Sequence, residues 1–370
     1  MLLVLVLQVR GVTLKTIRKL IIFFAVFYTI TQLFFSFVFP SRYIYYNRLN
    51  YDVFKDNVYT IEATVKAMKS TIEKDKLENY IIFIGDSVGY GTPGPPEKTM
   101  SAYMNNIAKK EGSPIRVLNI GIPSTMFGDF YTIIKLLNKY DISTQNLIIN
   151  FSYWEINAKT PAYWFKHYLK ELDYESYKKM VETGAIKEES TWQNIKSELY
   201  HFANKNIDII GYSGFISNKI KNKTNIALDQ PTSALKVWSN KKTTLIKTIN
   251  LPENRWYYTD KAFVLNDNST QIYFLNKIAE IQKGKNTLFF LNAMNDELLA
   301  GATYKEGFQN NLTTISKCFS DRGLKFIDYN QKVDYTYFSD FVHLLPDGYK
   351  FMAEDLWKRI HAKGDLNYAF

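Results

Sequence analysis

Gly85-Asp86-Ser87 closes a short apolar run, Tyr80-Ile81-Ile82-Phe83-Ile84. A serine on the sharp turn between a strand and a helix exposes its hydroxyl and leaves its amide free to donate to an oxyanion. Serine is a poor nucleophile alone, so the chemistry needs a histidine within reach and an acid behind it. Of the four histidines, His167, His201, His343 and His361, only His343 stands in a non-helical setting between predicted elements. It lies in Ser339-Asp340-Phe341-Val342-His343-Leu344-Leu345-Pro346, after the last apolar run and before the last helical stretch. That placement brings it to the same sheet edge as Ser87. Asp340 precedes it by three positions. In a turn this spacing folds a carboxylate back onto imidazole Nδ1, fixing the tautomer and leaving Nε2 for the serine. Each motif is common by itself, and an Asp/Ser helix cap accounts equally well for Gly-Asp-Ser. Their order, at the correct strand ends, carries the information.

The elements that must hold these groups alternate. Tyr80–Ile84, Arg116–Gly121 and Leu147–Phe151 read as strands, and a helical stretch from Phe127 to Leu137 lies between the last two. Short apolar runs alternating with helical patterns predict a parallel sheet covered by helices on both faces, with functional groups in the loops at the carboxyl ends of the strands. The alternation lapses from Ala158 to about Lys285 and returns at Thr287–Leu291 and Leu324–Ile327. A last helix from about Pro346 to Ile360 sets Tyr349, Met352, Leu356 and Ile360 on one face. The expected organisation is therefore a sheet domain in two pieces, 80–157 and 287–362, around a mostly helical insertion at 158–286. It is preceded by a helical connector at 41–79 in which Val58, Ile61, Val65 and Met68 recur at helical spacing.

Leu20 to Phe39 is a stretch of twenty residues without a charge. At ~1.5 Å per residue it spans the ~30 Å hydrocarbon core of a bilayer. It is longer than the apolar part of a cleaved signal peptide, and no small-residue cleavage site follows in Phe39-Pro40-Ser41-Arg42. Arg10, Lys15, Arg18 and Lys19 precede it, and Arg42 and Arg48 follow with Asp52 and Asp56 close behind. Positive-inside counting places the amino terminus in the cytoplasm and the bulk of the chain outside, on a single-pass anchor in the cell membrane.

Composition narrows the alternatives. The chain has 370 residues, 46% hydrophobic and 22% charged, which fits a folded protein. Its single cysteine, Cys318, excludes an intrachain disulfide and a CxxC metal site, and it reads as a small buried hydrophobe. With four histidines and no HExxH, a zinc hydrolase is not expected, and no metal is assigned. The formal charge of +10 suits an anionic membrane or surface polymer. The lysines are scattered in Lys/Asn/Tyr-rich stretches, without an arginine-rich stripe or a nucleic-acid motif, so nucleic-acid binding is not expected. The loop Gly89-Tyr90-Gly91-Thr92-Pro93-Gly94-Pro95-Pro96 lacks the Gly-Lys-Ser/Thr of a phosphate loop and reads as the mouth beside Ser87. His201 and His361 lie in Lys-rich helical contexts and read as solvated or paired. Aromatics are chiefly core payload, but Trp164 with Tyr163 and His167 offers a platform for sugar rings.

Taken together, IIFIGDSVGYGTP, RVLNIGIPSTMFGD and SDFVHLLPDGY resemble blocks I, II and V of the SGNH (GDSL) hydrolase superfamily. The resemblance covers Tyr80 to Asn157 and Thr287 to Ile360. It implies an α/β, doubly wound parallel-sheet sandwich in which Ser87 is the nucleophile, Asp340 and His343 are acid and base, and the Gly121 amide serves the oxyanion. No cofactor is implied. Block III departs: Ser152-Tyr153-Trp154-Glu155 stands where the superfamily has Gly-x-Asn-Asp, with Asn150 and Asn157 near but off register. Ser152 or Trp154 is then the candidate donor in place of the asparagine. Loss of one oxyanion donor costs ~3–4 kcal/mol.

The arrangement of anchor, GDS block, long insertion and DxxH is similar to membrane-anchored SGNH-like proteins of alginate acetylation and teichoic-acid D-alanylation. That resemblance implies serine-dependent O-acyl transfer or ester hydrolysis on a cell-envelope polysaccharide or teichoic-acid-like polymer, beside a membrane-bound O-acyltransferase. The altered block III keeps a second reading open: a catalytically weak scaffold that binds polymer or docks on such an acyltransferase.

Overall fold

The computed structural model describes residues 14–38, 43–160, 164–221 and 236–361. Five parallel strands form one sheet: β1 Tyr80–Gly85, β2 Arg116–Gly121, β3 Asn146–Phe151, β4 Asn286–Leu291 and β5 Lys325–Asp328. Their order is β2-β1-β3-β4-β5. The chain leaves β1 to one side for β2 and then crosses to its other side for β3. The crevice where such an order reverses is where ligands bind in open α/β sheets.

Side chains alternate across each strand and so build two cores. On one face Ile82, Ile84, Leu118, Ile120, Leu147, Ile149 and Phe289 are buried. They pack with helix α2 (Thr60–Lys74), α4 (Phe127–Lys139), α6 (Thr270–Ile281) and α7 (Glu306–Ser320). On the other, Ile81, Phe83, Val117, Ile148, Leu288 and Phe290 meet α3 (Met100–Glu111) and α8 (Pro346–His361). Tyr349, Met352, Leu356 and Ile360 of α8 are all buried, as their helical spacing predicts. The result is an α/β sandwich of the expected class.

Two boundaries and the placement of one residue differ from the sequence expectation. Residues 43–79 are not one helical connector. They begin with a hairpin, Tyr45–Tyr46 against Arg48–Leu49, and a short helix Tyr51–Asp56 before α2. Asn47 turns the hairpin at φ 57, a conformation asparagine tolerates. Arg48, read as a charge flanking the membrane span, is instead fully buried. Its guanidinium donates to the carbonyls of Tyr90 (2.8 Å) and Gly94 (3.0 Å) and lies 3.8 Å from the Tyr90 ring centre. At the other end of the insertion, α6 already belongs to the sheet layer, because Ile272, Leu275 and Ile278 pack into the core against α4. The inserted region therefore ends before Thr270, and it contains helix α5 (Thr191–Asn206) among shorter helices.

The apolar segment forms helix α1, Leu14–Val38, whose stretch Leu14–Leu33 is long and apolar enough to cross a membrane. Phe39, Arg42 and the stretch before Leu14 lie outside the described residues, as does Tyr163.

Candidate active site

Ser87 opens a one-turn helix, Ser87–Tyr90, directly after β1. The turn forms because Asp86 caps it, its Oδ1 accepting from the amides of Val88 (2.8 Å) and Gly89 (3.4 Å). Gly85 and Gly89 are dictated by packing: the Asn150 side chain from β3 lies against both. A Cβ at Gly85 would sit 1.5 Å from Asn150 Oδ1, and one at Gly89 2.0 Å from it. The chain is thus pressed close to β3 at the point where the serine is presented.

His343 and Asp340 come from the other end of the sequence. Ser339 donates its amide to the His343 carbonyl (2.8 Å), and Phe338 bridges Leu344, so the loop between β5 and α8 closes into a tight turn. Within it Asp340 Oδ1 accepts from the amides of Val342 (2.9 Å) and His343 (2.8 Å), leaving Oδ2 aimed at the imidazole. The Asp340 Oδ2–His343 Nδ1 distance is 2.8 Å, and the His343 Nε2–Ser87 Oγ distance is 2.8 Å. Carboxylate on Nδ1 and hydroxyl on Nε2 is the order that lets a histidine take a serine proton. Asn295, beyond β4, steadies this turn: its amide donates to the Phe341 carbonyl (3.0 Å) and its side chain to the Asp340 carbonyl (3.2 Å).

Electrostatics follow from burial and pairing. Burial alone would push the His343 imidazole down, but the Asp340 carboxylate outweighs it by charge and hydrogen bond, so His343 titrates above its ordinary value. Burial likewise acts to raise Asp340, and the His343 charge with the two amides holds it below the usual carboxylate range.

Beneath the serine lies a polar cluster centred on Asp86. Its carboxylate accepts from Asn150 Nδ2 (2.5 Å), Ser152 Oγ (2.5 Å) and Asn292 Nδ2 (2.7 Å). Glu155 lies beside it, accepting the Ser152 amide (2.9 Å). Burial, then the nearby Asp86 charge, pushes the Glu155 carboxyl well above the usual carboxylate range.

These contacts change three sequence assignments. Ser152 is not free to meet an oxyanion, because its hydroxyl is committed to Asp86. The Gly121 amide donates to Asn119 Oδ1 (2.7 Å) and is likewise engaged. What Gly121 provides is close approach: a Cβ there would stand 2.6 Å from the Tyr90 amide nitrogen and 2.8 Å from the Gly89 carbonyl carbon. The sugar platform at Trp164 and His167 is absent. The Trp164 indole donates to the Pro123 carbonyl (2.7 Å) and packs on Phe54, and His167 lies against His201. Trp154 is half-buried and meets Tyr257 at 4.7 Å and Phe341 at 5.8 Å between ring centres, which puts it beside the turn that holds His343.

Residues that the sequence reading missed include Asn292 and Asn295, just beyond β4. Polar residues at the carboxyl end of a strand were the available signal. A cleft of about 1230 Å³ is lined by Asn157, Arg255, Trp256, Tyr258, Asp296 and Glu297 among others, and neither Ser87 nor His343 is in its lining. Trp256 is 44% exposed and stacks on Tyr257, which packs against Phe341.

No protein-family model matches the chain, and no curated protein does. Among solved structures it is similar to a lipolytic protein of the G-D-S-L family from Desulfitobacterium hafniense DCB-2, at 12% identity and a TM-score of 0.32, over 76% of this chain and 99% of that one. It is also similar to an acetyl xylan esterase, at 13% identity and a TM-score of 0.33, over 75% of this chain and 98% of that one. A gut microbial diltiazem-metabolizing enzyme matches at 12% identity and a TM-score of 0.33, over 76% of this chain and 46% of that one. Likenesses this distant leave the chemistry to be read from the residues of this chain.

Proposed function

We propose that the protein is a serine-dependent esterase or O-acyltransferase that works through an acyl-Ser87 intermediate. The observation that carries this reading is the pair of 2.8 Å contacts running Asp340–His343–Ser87. His343 Nε2 takes the Ser87 proton as Oγ attacks the acyl carbonyl. The same proton passes to the leaving oxygen when the ester bond breaks, and the acyl group stays on Oγ. An incoming hydroxyl then loses its proton to His343, attacks the acyl-serine, and Ser87 Oγ recovers a proton from the imidazolium. Water as the incoming hydroxyl makes the protein a hydrolase, and a sugar hydroxyl makes it a transferase. The Ser87 amide is the donor we assign to the oxyanion, since Gly121 and Ser152 are committed elsewhere.

The acceptor we propose is a cell-envelope glycan or teichoic-acid-like polymer. In support, the cleft at Trp256 offers an exposed aromatic face among side chains able to bind hydroxyls, and Trp256 connects through Tyr257 to Phe341 in the turn that holds His343. Helix α1 supports an anchored, extracytoplasmic protein, which would work beside a membrane-bound O-acyltransferase.

The test is labelling of the full chain with a fluorophosphonate, read by intact mass. One adduct is expected on the parent, none on Ser87→Ala and a much slower one on His343→Ala. No adduct on a folded parent would reject the catalytic reading in favour of a polymer-binding or docking scaffold.

A further inference from the structure

Helix α5 is amphipathic the wrong way round for a soluble protein. Its polar side faces the body of the molecule. Asn194 and Glu198 both take Lys170 Nζ at 2.8 Å, and the His201 ring stands 4.2 Å from that of Tyr59. Lys205 reaches Glu62 at 3.0 Å and Glu171 at 2.9 Å. Its apolar side faces out. Trp192 is 82% exposed, Ile195 47%, Leu199 66% and Phe202 64%. Spacings of three, four and three residues at 100° per residue set these four side chains within an arc of about 80°. A globular helix buries such a stripe.

Two observations point to what covers it. The stripe leads to Asn206, whose carbonyl accepts from Tyr28 Oη (2.9 Å) and Gln32 Nε2 (2.7 Å) of α1. Both donors belong to the helix that is long and apolar enough to cross a membrane. On the shoulder beside the stripe, Lys166, Lys187, Lys196 and Tyr200 line a common depression with Glu188 and Glu189, so ammonium groups outnumber carboxylates there by three to two.

We propose that α5 lies in the surface of the bilayer that α1 crosses, with Trp192, Ile195, Leu199 and Phe202 immersed at the boundary between headgroups and acyl chains and the lysines on anionic headgroups. This rests on reading α1 as a membrane span. The insertion thereby gives the domain a second point of membrane contact, which fixes the tilt of the domain as a single helix cannot.

The experiment uses the full chain with Cys318→Ala, reconstituted in vesicles of phosphatidylcholine and phosphatidylglycerol that carry a nitroxide on the upper acyl chain. An environment-sensitive fluorophore is attached at Leu199→Cys in one preparation and at Phe27→Cys of α1 in another. Both side chains are exposed, so the labels spare the core. Both fluorophores should lose about half their emission, since an interfacial face lies ~5–10 Å into the boundary. Quenching at Phe27→Cys with a Leu199 label that responds only to aqueous iodide would overturn the proposal. It would leave the span intact and point to a protein partner for the stripe. If neither label were quenched by lipid, the span reading itself would fall, and the proposal with it.

Discussion

His343 Nε2 lies 2.8 Å from Ser87 Oγ across 256 residues of chain. The two meet because β1 ends at Gly85 and the loop between β5 and α8 folds back over the same edge of the sheet. A proton shared at that distance makes the base strength of His343 the control on the reaction.

Activity should therefore rise with pH. The imidazole must be neutral to accept the serine proton, and Asp340 holds its titration above the ordinary ~6.5. A plot of kcat/KM for a small activated ester against pH should reach half-maximum above that value. Stability moves the opposite way: the raised His343 contributes stabilisation that is complete below the unfolded value and fades as pH rises through the folded one. Asp340 contributes above the unfolded carboxylate value and loses it as pH falls through its own lowered one.

Asp340→Asn should reduce kcat by about 10⁴-fold, the scale found when the acid of such a triad becomes an amide. Wild-type thermal stability at pH 8 would confirm that the loss is chemical.

Asp86→Asn should destabilise the protein by about 2–3 kcal/mol in urea unfolding. Asparagine keeps one acceptor oxygen where the carboxylate serves Asn150, Ser152 and Asn292, so a buried donor is left unpaired. An unchanged midpoint would mean that this cluster is not what holds the turn.

Gly85→Ala should cost about 3 kcal/mol, at the top of the range for overpacking. The new methyl must displace the Asn150 amide from 1.5 Å. Combining it with Asn150→Ser should cost less than the two single changes added, a coupling that a double-mutant cycle measures.

Trp256→Ala should raise KM for a glycan acceptor several-fold while leaving hydrolysis of a small ester unchanged. Equal losses on both would place Trp256 in support of the turn at Phe341 rather than in the acceptor cleft.

Much of this was legible in the sequence. Apolar runs such as Tyr80–Ile84 and Leu147–Phe151 are bounded sharply, and their period marks buried parallel strands. Asp340 and His343 are near neighbours, so their pairing needs only a turn. What was hidden depended on partners far away in the chain. Arg48 looks like a flanking charge until the Tyr90 and Gly94 carbonyls are seen above it. Ser152 resembles a donor awaiting substrate until Asp86 claims it, and nothing in Asn-x-Gly reveals that the Gly121 amide turns back to Asn119. Trp192 reads as core payload because a sequence does not say which face of a helix meets the protein.

Arg48 also sets a length. It clamps the loop beside Ser87, and it stands only ten residues beyond Val38, where α1 ends. A chain extends at most ~3.6 Å per residue, so the covalent lead from anchor to clamp is no longer than ~36 Å. With α1 in a bilayer and α5 on its surface, as proposed, Ser87 is held close above one spot on the membrane. Under the proposed function, acyl donors and polymer strands held in that same thin layer would meet it at the high effective concentration of a short tether, while freely diffusing esters would gain nothing.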